Sequence, residues 1–120
     1  MADSCWHRGY TGNGVIIGML DSGIDTTHSA LRGGKLIKWR DFQYNSPIPY
    51  DDELGLGTGY AGIICGGDGL GPFGDDIGVA PGAKLIVGRI VLSIDPLLGL
   101  QWIASLKADS NFNIKGVNNS

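Results

Sequence analysis

Val15-Ile16-Ile17-Gly18-Met19-Leu20-Asp21-Ser22-Gly23-Ile24-Asp25 is the stretch on which the reading of the whole chain turns. Five apolar side chains fill the six positions from Val15 to Leu20, and only Gly18 interrupts them. A half-exposed strand would alternate apolar and polar residues. A short continuous run headed by Val and Ile instead predicts a strand buried on both faces. Asp21 closes that run. In an open α/β sheet, ligands and chemistry collect outside the carboxyl ends of the strands, so Asp21 is the first candidate functional residue.

Working outward, Leu36-Ile37-Lys38-Trp39-Arg40-Asp41-Phe42 alternates and predicts a second, partly exposed strand at a sheet edge. Lys84 to Val91 predicts a third strand and Ile114 to Ser120 a fourth. Asp51-Asp52-Glu53 precedes Leu54 to Gly66, a helix candidate whose first turn the acidic residues favour. Each glycine inside it costs about 0.5–1 kcal/mol relative to Ala, so those glycines need a packing reason. Asp95-Pro96 reads as an N-cap and first helical residue, opening a helix over 96–108 that is apolar nearly all round. Such a helix is expected to be buried on more than one side.

The remaining segments read as connections. Residues 1–14 are a turn-rich approach in which Trp6 packs on the body, 26–31 a turn or helical fragment, and 66–78 a glycine-rich loop. The alternation of strand and helix predicts an α/β fold: a doubly wound, mostly parallel sheet of about four strands with flanking helices, in one domain spanning 1–120.

Composition narrows the function. The net charge is -3, and the nine basic residues are scattered singly, which disfavours nucleic acid and membrane surfaces as partners. No apolar run approaches the ~20 residues of a membrane span, and Met1-Ala2-Asp3-Ser4 lacks the character of a signal peptide. Cys5 and Cys65 allow one bridge, but Cys65 in Ala61-Gly62-Ile63-Ile64-Cys65 reads as a small buried apolar residue and Cys5 as a free thiol. His7 and His28 lack metal-ligand spacing.

Four motifs carry a family resemblance. Tyr10-Thr11-Gly12-Asn13-Gly14-Val15, followed by Leu20-Asp21-Ser22-Gly23-Ile24-Asp25 and Thr27-His28, resembles the start of a subtilisin-like (subtilase) serine peptidase catalytic domain. Gly78-Val79-Ala80-Pro81-Gly82-Ala83 resembles that family's Gly-Val-Ala-Pro turn, and Gln101-Trp102-Ile103-Ala104 its later helix. Val117-Asn118-Asn119-Ser120 is similar, with alterations, to a following strand. The resemblance implies that Asp21 matches the triad aspartate, that the relatives act outside the cell, and that the chain corresponds to the N-terminal part of the domain. Without an export signal the chain as written would stay in the cytoplasm.

The departures alter that expectation. Where the family has Gly-His-Gly-Thr-His-Val-Ala-Gly, this chain has Gly55-Leu56-Gly57-Thr58-Gly59-Tyr60-Ala61-Gly62, so Leu56 stands in the place of the catalytic histidine. The helix bearing the nucleophilic serine has no counterpart among these 120 residues. A serine attacks because an imidazole takes its proton, and the aspartate only orients that imidazole. Asp21 is therefore expected to be vestigial and His28 structural, in a non-catalytic subtilase core that is either engineered and shortened or a natural pseudoenzyme.

Four other expectations follow. Calcium could be held by Asp68, Asp75 and Asp76, in a loop where subtilases often bind it, although the spacing is no EF-hand. A nucleotide or phosphate site is the Rossmann-like alternative, opposed by Asp21 and Asp25 at the turn where a Gly-x-Gly-x-x-Gly would stand. A residual peptide-bond hydrolase is another. Self-association into a homodimer, through an exposed sheet edge and the helix over 96–108, would use Leu97, Leu100, Trp102 and Leu106.

Overall fold

The computed structural model describes residues 2–120. Four strands, β1 (Ile16–Asp21), β2 (Leu36–Asp41), β3 (Lys84–Arg89) and β4 (Ile114–Asn119), form one sheet in the order β2-β3-β1-β4. Every pairing is parallel. The α/β architecture read from the sequence is the one observed, with β1 inside the sheet and β2 at an edge.

Continuous apolar runs form the two inner strands because each face of the sheet has its own core. Met19, Leu85 and Val87 face Ala61 and Cys65 of the helix α2 (Leu56–Cys65), joined by Ile24 and Leu31. The intervening residues Ile16, Leu20 and Ile86 face Ile103 of the helix α3 (Pro96–Asp109), with Ile114 beside them. Successive side chains point to opposite faces, so a strand covered on both sides shows no polar alternation.

α3 starts as expected: the Asp95 carboxylate accepts the Leu97 N–H at 2.9 Å, and Pro96 occupies the first turn. Its burial does not follow the expectation. Gly99 and Ile103 are buried and Trp102 and Leu106 pack on the core, but Leu97 is 53% and Leu98 50% exposed. One face of α3 lies on the sheet, with the missing side chain of Gly99 letting it approach Leu20 and Ile90. Among the described residues nothing covers the opposite face.

The glycines of α2 also divide. A side chain at Gly57 would collide with the backbone of Gly23, so the first turn of the helix can reach the loop after β1 only as glycine. Gly59 and Gly62 meet nothing and have no packing role.

The N-terminal segment is more regular than expected. Ala2–Trp6 forms a one-turn helix, α1, and Trp6 donates to the Val79 carbonyl at 3.0 Å while lying 5.7 Å from the Phe73 ring. Short 3-10 turns occur at Ser29–Leu31 and at Phe73–Asp75. Cys5 and Cys65 are both free, Cys5 exposed and Cys65 buried. Burial pushes the Cys65 thiol up to about 11, which leaves it protonated at neutral pH.

Candidate functional site

The carboxyl ends of the strands bring charged groups into one row. Asp41 of β2, Arg89 of β3 and Asp21 of β1 stand side by side in register, and all three are buried. Asp21 accepts the Ser22 N–H at 2.8 Å on one oxygen and the Ser120 hydroxyl at 3.1 Å on the other. The side chain singled out in the sequence therefore lies where the sheet places ligands, with one donor on each of its oxygens.

The turn that follows Asp21 holds the start of α2. Ser22 donates its hydroxyl to Asp51 at 2.7 Å and accepts the Gly57 N–H at 3.0 Å. Asp51 in turn accepts the Thr58 N–H at 2.7 Å and the Thr58 hydroxyl at 2.6 Å. The N-cap position, Gly55, has no side chain to offer, so these two residues from elsewhere in the chain satisfy the open N–H groups of the first turn. Burial raises the Asp51 carboxyl, but hydrogen bonds from Thr58, Ser22 and Asp52 outweigh it and hold the group below the usual carboxylate range. Leu56, beside this network, is 51% exposed and offers no proton acceptor.

Arg89 and Asp41 are the members of the row that sequence reading passed over. Arg89 donates to Gln43 at 2.7 Å and lies 3.5 Å from Asp41, with its guanidinium over the ring of Tyr50 at 4.7 Å. Burial raises Asp41, yet the Gln43 and Tyr44 N–H groups, the Tyr50 hydroxyl and Arg89 together hold it below the usual range. The sequence held little signal for them, since Asp41 lies in an alternating stretch before Phe42 and Arg89 is followed by Ile90 and Val91.

The two histidines stand apart from this row. His28 accepts the Ala30 N–H on Nδ1 at 3.2 Å and caps the 3-10 turn at Ser29–Leu31. His7 packs edge-on against Phe73. The acidic loop is held together from within: Asp76 accepts the Asp68 N–H at 2.8 Å and the Gly69 N–H at 3.3 Å on one oxygen, and Asp68 accepts the Leu70 N–H at 2.9 Å. The second Asp76 oxygen is buried without a partner, but among the described residues no three His, Cys, Asp or Glu side chains converge as metal ligands. Asp68, Asp75 and Asp76 line one pocket together with His28 and Ser29. Among the described residues no helix is long and apolar enough to cross a membrane.

The model of the Subtilase family of S8 peptidases matches residues 12–120. This chain belongs to the subtilase family. Among curated relatives, a calcium-dependent protease of a Nostoc species is 38% identical over 104 residues, which is 82% of this chain and 15% of that protein. Subtilisin E of Bacillus subtilis is 32% identical over 111 residues, covering 85% of this chain and 27% of that protein. The solved structure of the Clostridium perfringens CspB protease superposes with a TM-score of 0.79 at 27% identity, over 98% of this chain and 31% of that one. This subtilase chain thus spans less than a third of each of these three proteins. Asp21 ends β1 and Leu56 opens α2.

Proposed function

We propose that this chain is a non-catalytic subtilase core, a scaffold in which Asp21 orients no general base. What supports this reading is the motif resemblance that sets Leu56, at the head of α2, against the family's histidine. An alkyl side chain offers no proton acceptor, and Asp21 bonds only the Ser22 N–H and the Ser120 hydroxyl among the contacts described. Neither His7 nor His28 takes over that role, since each is engaged elsewhere. A general base must lie within hydrogen-bond reach of the proton it removes. Whether the core arose by design or by decay of a peptidase, the chemistry is the same.

A fluorogenic peptide assay tests the proposal. The chain gives no turnover above buffer, and Leu56→His does not restore it, because an imidazole on Asp21 would still have no positioned serine to activate. Hydrolysis that disappears on Asp21→Ala would overturn the reading.

A further inference from the structure

We propose that the turn from Pro81 to Ala83 is a binding site for a primary ammonium group, which this chain fills with its own Lys35. Lys35 directly precedes β2 and is only 7% exposed. Its ammonium donates to the Pro81 carbonyl and, at 3.3 Å, to the Ala83 carbonyl. Among the described residues no carboxylate touches it. A buried ion is ordinarily held by an opposite charge, whereas this one is held by backbone dipoles.

The two carbonyls need a donor from outside the backbone. The Ala83 N–H donates to the Ala80 carbonyl at 2.9 Å and the Gly82 N–H to the Thr11 carbonyl at 2.7 Å. Those bonds fix the turn in place and leave the Pro81 and Ala83 carbonyls unpaired. Both residues are buried, and among the described residues Lys35 is the donor that reaches each carbonyl. A buried acceptor without a donor carries a desolvation cost that nothing offsets, so the turn has a standing demand for N–H or O–H groups.

Charge selects an ammonium over water, which could also donate to two carbonyls. Burial opposes the charge at Lys35 and Lys84 repels it, while the carboxylates of Asp76 and Asp68 act across space to favour it. Cys65, kept protonated at neutral pH by its own burial, adds no charge there. A neutral occupant would gain nothing from the two carboxylates. Lys35 also lines an open cleft of about 300 Å³ with Thr26, Gly33, Gly34 and Pro49, so an amine in solvent has a route to the place its side chain would vacate. The site is independent of whether the chain hydrolyses peptides.

Chemical rescue tests the proposal. Lys35→Ala removes the side-chain atoms from Cγ to Nζ, which n-propylammonium supplies. The variant melts several degrees below the unsubstituted chain, and n-propylammonium chloride recovers most of that loss with saturation, as a ligand of the folded state must. Tetramethylammonium chloride, a cation without N–H donors, and 1-propanol, a donor without charge, do not. The unsubstituted chain, its site filled, shows no shift specific to n-propylammonium. Lys35→Met, which keeps the stem and lacks the donors, melts low and is not rescued. Equal effects of the three solutes on Lys35→Ala overturn the proposal, as does a Lys35→Met chain as stable as the unsubstituted one. Should Lys35→Ala stay unfolded in all three solutes, nuclear magnetic resonance of the unsubstituted chain decides. Slowly exchanging Lys35 ammonium protons, coupled across hydrogen bonds to the Pro81 and Ala83 carbonyl carbons, support the site, and their absence overturns it.

Discussion

Ser22, Asp51 and Thr58 illustrate how this chain treats its buried polar groups. Among these three, each hydroxyl or carboxylate oxygen finds a donor or acceptor, and the result is a capped helix beside the end of β1. Lys35 follows the same rule, its buried ammonium donating to the carbonyls of Pro81 and Ala83, and burial lowers its pKa. Asp51 and Asp41 both have folded-state pKa values below those of an unfolded chain. Their contribution to stability is therefore complete above the ordinary carboxylate pKa of about 4 and is lost as pH falls through the lowered folded values. Asp51→Asn, which keeps the shape but offers one acceptor oxygen, is expected to cost about 1–3 kcal/mol at neutral pH. Urea unfolding at neutral pH and at about pH 3 checks this: the difference between the two chains shrinks in acid, and a constant difference would show that ionisation of Asp51 is not involved.

At the scale of the element, α2 shows which of its glycines the fold requires. Gly57 allows the helix to seat against Gly23, whose φ of 140° and contact with the Tyr50 carbonyl are themselves closed to a side chain. Gly57→Ala should displace the helix start and lower the melting temperature. Gly59→Ala and Gly62→Ala meet open space and should each stabilise the protein by about 0.5–1 kcal/mol through helix propensity. Thermal melts of the three variants separate the two classes, and a loss of stability at position 59 would mean that α2 packs against something on its outer side. α3 carries the same lesson in its leucines. Its apolar character predicted burial all round, and the sheet covers only the face that includes Gly99 and Ile103.

Taken as a whole, the molecule is the N-terminal part of a subtilase sheet, with β1 between β3 and β4 and both cores built on its alternating side chains. Carboxylates of the loop from Gly66 to Gly78 bond its own backbone. Asp76 and Asp68 each give an oxygen to backbone N–H groups of the loop, which ties it together without any further group. Chelation by EDTA should therefore leave the melting temperature of the whole chain unchanged. A drop would show that the loop from Gly66 to Gly78 recruits further oxygens on binding, since a ligand that binds only the folded state must stabilise it.

What the sequence determined by itself was local and periodic. The apolar run from Val15 to Leu20, the alternation from Leu36 to Phe42 and the Asp95-Pro96 cap are each set by neighbours within a few residues, and each element formed at its expected place. Asp21, Leu56 and the Gly-Val-Ala-Pro-Gly turn were legible because their motifs are contiguous. Only the tertiary structure decided the rest. Asp41, Arg89 and Asp21 become neighbours through strand order, Ser22 and Asp51 cap a helix from 35 and 7 residues away, and Ser120 reaches Asp21 across 99 positions. Contacts at such separations depend on which strand lies beside which, and that order arises from burying both faces of β1 at once.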